Sequence, residues 1–178
     1  MGTAERLYAP AFQRFAAALV PLLCGLLGVI IANIPISFVG GVVPPPLLGL
    51  IPLYFWCLVR PDLMTPAAAF AIGLLEDVMS GSPPGVWTLG FVAAYAVVAR
   101  QRDSFAGLAG VAAVLGFAAA AMAACVVATL AVGLLQARMP PLGAVVAELA
   151  MTVAAYIPGA LLVSSLHHRL VGPLRSDF

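Results

Sequence analysis

The chain has 178 residues, of which 63% are apolar and only 8% are charged, and its formal net charge is +1. Eight basic and seven acidic side chains are too few to cover a soluble core of this size. The composition therefore excludes an ordinary soluble domain and a polybasic surface for nucleic acid, and it predicts a membrane protein.

Charged residues and prolines divide the chain into six apolar segments, each predicted to be a helix: residues 15–34, 45–59, 63–79, 86–99, 105–135 and 143–166. A bilayer core takes about 20 apolar residues as a helix, and lipid tolerates no open backbone. The first segment is longer than the apolar region of a signal peptide, so we expect it to be retained. The sequence thus predicts an all-α, multi-pass protein with short loops, in which residues 1–178 form a single transmembrane domain.

The arginines predict the orientation, because cytoplasmic loops retain basic residues. Six crossings that start in the cytoplasm leave only Arg138 on the outer side. The other seven then lie on the cytoplasmic side: Arg6, Arg14, Arg60, Arg100, Arg102, Arg169 and Arg175. We therefore expect both termini to be cytoplasmic.

The lengths of the apolar segments predict how the helices are placed in the membrane. The second, third and fourth segments are short for lone spans, so we expect either neighbouring helices to shield them from lipid or a loop that dips into protein to continue them. The fifth exceeds one span, so we expect it to tilt, break or project. It carries small residues at four-residue spacing, which allow close helix approach: Ala112, Gly116, Ala120, Ala124 and Ala128. This stripe serves packing within the chain's own bundle or contact with a partner's helix.

Two adjacent acids, Glu76 and Asp77, lie near the outer end of the third segment. A helix C-terminus carries partial negative charge, so these carboxylates need compensation. The candidates are Arg138, Ser80, Ser82 and the backbone N–H groups that begin the fourth segment after "GSPPG". Adjacent helical residues point about 100° apart, so we expect at most one acid to face straight into the bundle.

The sixth segment adds a third acid, Glu148, followed at four-residue spacing by Thr152 and Tyr156. This polar stripe should face protein and not lipid. Asn33 and the start of the fourth segment fall at a similar depth. The sequence therefore predicts an outward-facing polar cluster of four residues, Asn33, Asp77, Arg138 and Glu148, with Glu76 as an optional fifth member.

Such a cluster has two interpretations. Ionisable residues inside a membrane are costly and point to a recognition site or cavity. Alternatively, they are partly solvated residues that pair to fix the helix arrangement. Catalysis is disfavoured, because no nucleophile pairs with a base at this depth. His167 and His168, at the opposite end, are interpreted as interface anchors.

The cysteines give no sign of a disulfide framework or a metal site, and the sequence predicts no cofactor. All three lie within apolar runs, where a free thiol packs as a small apolar group: Cys24, Cys57 and Cys125.

One stretch, "PPPLLGLIPLYFWCLVRPDLMTPAAAFAIGLLEDVMSGSPPGVWTL" (residues 44–89), resembles the MreD family, the integral-membrane rod-shape-determining proteins of bacteria. The family pattern has an aromatic residue before "xxxRP", followed by "F-x-x-G-L-x-x-D-x-x-x-G-x-P-x-G". The matching residues are Trp56, Arg60, Pro61, Phe70, Gly73, Leu74, Asp77, Gly81, Pro83 and Gly85. Glu76 is an addition of this sequence.

The resemblance implies a non-enzymatic scaffold in the bacterial inner membrane. It would dock MreC and link cytoplasmic MreB filaments to lateral peptidoglycan synthesis by RodA and penicillin-binding protein 2. By the same resemblance, Asp77, Gly73 and Gly85 would hold the hairpin between the third and fourth helices. Arg60 and Pro61 would fix the cytoplasmic turn.

The MreD family is also distantly similar in fold to the substrate-binding S-component subunits of energy-coupling-factor (ECF) vitamin transporters. This similarity leaves an alternative, in which the chain is a small-solute-binding subunit of a transporter. The outer polar cluster would then be the pocket, with Trp87 and Tyr156 as its walls.

Overall fold

The structure, a computed structural model, describes residues 11–34, 44–102, 111–137 and 139–170, with side chains from residue 19 to residue 166 within these ranges. The described residues form six α-helices and no strands: α1 (Ala11–Ala32), α2 (Leu50–Val59), α3 (Pro66–Ser80), α4 (Val86–Arg100), α5 (Val111–Gln136) and α6 (Leu142–Leu170). The predicted all-α class and the order of the helices are confirmed.

The predicted starts of α2 and α3 were too early. Residues 44–47 are not helical, because three consecutive prolines there supply no backbone N–H and disfavour a helix before them. α3 begins at Pro66 and not at residue 63, since the Thr65 side chain caps it by accepting a hydrogen bond from the Ala68 N–H at 3.2 Å. Proline is favoured at this first helical position.

The short helix α2 lies at the centre of the bundle. It packs against α1, α4, α5 and α6, and most of its side chains are buried: Leu50, Ile51, Pro52, Leu53, Tyr54, Trp56 and Cys57. Most of this ten-residue helix is therefore covered by other helices, as the sequence predicts for a span this short.

Helices α5 and α6 are the two that are long and apolar enough to cross a membrane within the described residues, over Val111–Gln136 and Leu142–Leu166. The described part of α5 is continuous, and the predicted residues 105–110 lie outside it. Large apolar side chains point outward from several helices, such as Leu27 on α1, Val78 on α3 and Leu134 on α5. A membrane protein presents such a surface to lipid, and six crossings remain a prediction.

The small-residue stripe of α5 faces α4. Four of its members, Gly116, Ala120, Ala124 and Ala128, are buried. The approach is close, because a methyl group on Gly90 of α4 would lie 3.0 Å from the carbonyl oxygen of Ala124. The stripe therefore serves packing within the bundle.

Three aromatic rings join α2, α5 and α6 in the core. Phe117 and Tyr156 are stacked with ring centroids 4.4 Å apart, and Tyr54 meets both edge-on at 5.5 and 5.8 Å. The Tyr54 hydroxyl donates to the carbonyl oxygen of Ala113 at 3.3 Å. Tyr156 is thus a core residue and not the wall of an open pocket.

Candidate functional site

The candidate site lies at the end of the bundle where α3 ends and α4 begins, called here the acidic end. Gly81 ends α3 with φ +67°, and Gly85 precedes α4 with φ +104°. These left-handed conformations favour glycine, which explains both glycines of "GSPPG". Because Gly85 has no side chain, it cannot cap α4 itself.

Asp77 supplies the missing cap from α3. Its carboxylate accepts hydrogen bonds from the N–H groups of Gly85 at 2.8 Å, Trp87 at 2.7 Å and Thr88 at 3.1 Å, and from the Thr88 hydroxyl at 2.6 Å. The side chain is buried, and all four donors belong to the first turn of α4 or its cap. A helix N-terminus favours an anion, so α4 provides the compensation that the end of α3 lacks.

The other proposed sources of compensation do not reach Asp77 within the described residues. The Ser80 hydroxyl donates to Ser82 at 2.9 Å, and both are at the surface of the hairpin. Arg138 lies outside the described residues, so its part in the cluster remains a prediction.

Gly73 allows the two helices of the hairpin to touch. A methyl group there would lie 2.7 Å from the Cα of Thr88 and 2.9 Å from the carbonyl oxygen of Trp87. Both are backbone atoms that cannot turn away. The close approach is what brings the Asp77 carboxylate within reach of the N-terminus of α4.

The expectation that only one of the two acids would face into the bundle was wrong. Glu76 and Asp77 are each 2% exposed. α3 packs between α1 and α4, so side chains about 100° apart enter different interfaces. Asp77 turns to α4, while one carboxylate oxygen of Glu76 accepts a hydrogen bond from the Asn33 side-chain amide at 3.0 Å.

Glu76 is incompletely satisfied. Its Oε2 atom is buried and has no hydrogen-bond partner among the described residues. Charge interactions link Glu76 to Asp77 and to Glu148, which are both acids. The predicted cluster is therefore divided into Asp77, which accepts four hydrogen bonds, and an undersatisfied group of Glu76, Asn33 and Glu148, so called because the Glu76 Oε2 atom lacks a partner among the described residues.

The polar stripe of α6 faces protein, as predicted. Thr152 is fully buried, and its hydroxyl donates to the Glu148 carbonyl oxygen at 2.7 Å while accepting from the Leu47 N–H at 3.0 Å. This bond attaches the segment before α2 to α6. Glu148, one turn nearer the start of α6, is partly buried beside it.

Arg60 and Pro61 lie at the opposite end, in the turn from α2 to α3. Arg60 forms a two-pronged pair with Asp62, Nε to Oδ1 and Nη2 to Oδ2, both at 3.1 Å. This hydrogen bonding holds the pKa of the exposed Asp62 carboxyl below its usual value. This turn therefore lies at the end of the bundle opposite to Glu76 and Asp77. The side chains of His167 and His168 lie outside the described residues.

A groove between α1 and α6 was not predicted. It holds a cavity of about 360 Å³ with α2 as its floor, and apolar residues line it, among them Cys24, Leu27, Gly28, Ala155, Gly159 and Leu162. Neither Glu76 nor Glu148 lines this groove. In the sequence these residues appear only as ordinary apolar helix positions, so no signal distinguishes them.

No group of three or more His, Cys, Asp or Glu side chains that could hold a metal ion occurs among the described residues. Trp87 is 9% exposed and packs in the core, which leaves it unavailable as the wall of an open pocket.

Comparison with known families shows which family the chain matches. The family described as MreD, rod shape-determining protein MreD, matches over residues 13–158, well over half of the chain. Comparisons with curated proteins and with solved structures returned no significant match.

Proposed function

Because the chain belongs to the MreD family, whose members determine rod shape, we propose that it is a non-enzymatic scaffold of the cell-elongation machinery in the bacterial inner membrane. In this role it docks MreC. Through that contact it links MreB filaments to lateral peptidoglycan synthesis by RodA and penicillin-binding protein 2.

The observation that carries the scaffold proposal is the state of Asp77, the acid of the family motif. Its carboxylate accepts four hydrogen bonds from α4. An acid that serves as a proton acceptor or nucleophile needs free lone pairs facing a substrate. Asp77 instead fastens one helix to the next, which supports a role in shaping an interaction surface.

We further propose that the groove between α1 and α6 receives the single transmembrane helix of MreC. Its lining is apolar, and Ala155 on one wall is small, which permits the close packing by which helices associate in lipid. The stripe on α5 is already used against α4, so it supports no partner contact.

Two tryptophan variants test this docking surface. Ala155→Trp fills the groove, whereas Leu130→Trp adds the same ring to an exposed position on α5. We expect the first to reduce recovery of MreC with the tagged protein in mild detergent about tenfold, and the second to leave recovery unchanged. Equal recovery with both variants would exclude the groove as the contact.

Orientation is part of the proposal: six crossings, both termini in the cytoplasm, and the acidic end facing outward. In a background without native cysteines, Ser82→Cys should react with an impermeant maleimide applied to intact spheroplasts. Asp62→Cys should react only after lysis. The reverse pattern, or an odd number of crossings, would refute this topology.

The cellular role is tested by depletion. Loss of a rod-shape scaffold is expected to make rod cells round, and expression of the wild-type chain should restore rods. Asp77→Ala should restore rods poorly and recover less MreC, while Asp62→Ala serves as the matched acid control at the opposite end of the bundle. Rounding that Asp77→Ala rescues fully would contradict the role given to the hairpin.

The transporter alternative has no comparable support. A pocket for a polar vitamin needs polar groups that fix the ligand. The cavity between α1 and α6 is lined by apolar residues, and Trp87 and Tyr156 are packed in the core.

A further inference from the structure

The undersatisfied group at the acidic end, Glu76, Asn33 and Glu148, contains two acids, and neither forms an ion pair with a described basic residue. Glu76 is 2% exposed, and its Oε2 atom has no partner among the described residues. The charged groups found to interact with it, Asp77 and Glu148, are acidic. Two carboxylates in a low-dielectric interior repel each other strongly, so either a proton or a bound cation must reduce their charge.

The available ligand atoms are all oxygens. The Asn33 side-chain nitrogen donates to the Val29 carbonyl oxygen and to Glu76, both at 3.0 Å, which leaves the Asn33 amide oxygen unused by any described hydrogen bond. Glu148 is partly buried, so it can reach solvent while its charge interacts with that of Glu76. Oxygen-only donors select hard cations such as Ca²⁺, Mg²⁺ or alkali ions.

Charge and burial narrow the choice among these cations. One divalent ion neutralises two carboxylates, whereas one monovalent ion leaves a net negative charge. Mg²⁺ keeps most of its waters, but the Oε2 atom of Glu76 is closed to solvent, so an ion bound there must lose water on that side. Ca²⁺ tolerates irregular geometry and gives up water more readily.

We propose that Glu76, Glu148 and the amide oxygen of Asn33 form a Ca²⁺ site at the acidic end of the bundle. Waters on the Glu148 side complete the coordination. With only two carboxylates the affinity is low, with a Kd of about 0.1–1 mM, the range of extracellular calcium modules. Bound Ca²⁺ would hold the end of α1, the end of α3 and the start of α6 together.

The test is thermal unfolding of the full-length, chelator-treated protein in detergent, followed by tryptophan fluorescence. CaCl₂ is titrated at constant ionic strength set with choline chloride. We expect a saturable rise in Tm of about 3–6 °C at ten times the Kd. The same concentration of MgCl₂ should give a clearly smaller rise, and isothermal calorimetry should detect Ca²⁺ binding directly.

Three variants locate the site. Glu76→Gln and Glu148→Gln should each abolish both the rise and the calorimetric signal, while Asp62→Asn, at the opposite end, should retain both. If Glu76→Gln does not fold, Glu148→Gln decides alone, because its side chain lies partly at the surface. The proposal is overturned if the wild type shows no Ca²⁺-dependent rise. It is equally overturned if Mg²⁺ matches Ca²⁺, or if the effect survives in Glu148→Gln.

Discussion

Replacing Asp77 by alanine removes the acceptor on which the first turn of α4 depends. Three of the hydrogen bonds it receives come from buried donors: the N–H groups of Trp87 and Thr88, at 2.7 and 3.1 Å, and the Thr88 hydroxyl at 2.6 Å. The fourth donor, the N–H of Gly85, is only partly buried, so water can replace the carboxylate there.

The magnitude follows from those three donors. A buried donor left without a partner costs about 1–3 kcal/mol, and the Thr88 hydroxyl can rotate toward another acceptor. We therefore expect Asp77→Ala to lower the free energy of unfolding by about 3–5 kcal/mol, above the 0.5–2 kcal/mol of an ordinary helix cap. Asp77→Asn keeps one acceptor oxygen and should lose about 1–3 kcal/mol.

The assay is reversible unfolding in mixed micelles at increasing SDS fraction, followed by far-UV circular dichroism and tryptophan fluorescence. Asp62→Ala is the matched control, because its ion pair with Arg60 is exposed and should contribute at most about 1 kcal/mol. Thr88→Val removes the hydroxyl alone and should cost less than Asp77→Ala. An Asp77→Ala protein within about 1 kcal/mol of wild type would refute the reasoning.

Gly73→Ala places a methyl group 2.7 Å from the Thr88 Cα, so we expect a loss of about 1–3 kcal/mol in the same assay; no loss would mean that α3 and α4 separate easily. Thr152→Val removes the acceptor of one buried backbone N–H and should cost about 1–3 kcal/mol, with faster hydrogen exchange at that amide. Arg60 lowers the pKa of Asp62 in the folded state, so their pair stabilises the fold above about pH 4 and is lost as the pH falls through the folded pKa. Asp62→Asn should therefore flatten the change in unfolding free energy between about pH 6 and pH 3, and an unchanged slope would contradict the pairing.

Local sequence was sufficient for the hairpin between α3 and α4. The donors that Asp77 uses lie eight to eleven residues away, just beyond a Gly-Pro turn. Turn residues and helix ends are local signals, so the N–H groups at the start of α4 could be named as partners beforehand. The same locality allowed the polar stripe of Glu148, Thr152 and Tyr156 to be assigned to the protein-facing side of its helix.

Contacts between distant segments could not be predicted in this way. The Asn33 amide meets Glu76 across 43 residues, and the Leu47 N–H meets Thr152 across 105. Helical periodicity gives the face on which a side chain lies, but not which helix covers that face. For this reason the burial of both Glu76 and Asp77 was missed, as was the groove between α1 and α6.

Composition by itself determined that this chain is a membrane protein, because a chain with so few charged side chains cannot cover a soluble core. The spacing of the charges and prolines determined that it is helical. The sequence also determined the hairpin motif that marks the family. Only the tertiary structure decided which acid is satisfied and which is not. That outcome depends on α3 packing between α1 and α4, where α4 offers the free N–H groups of a helix start and α1 offers a single amide.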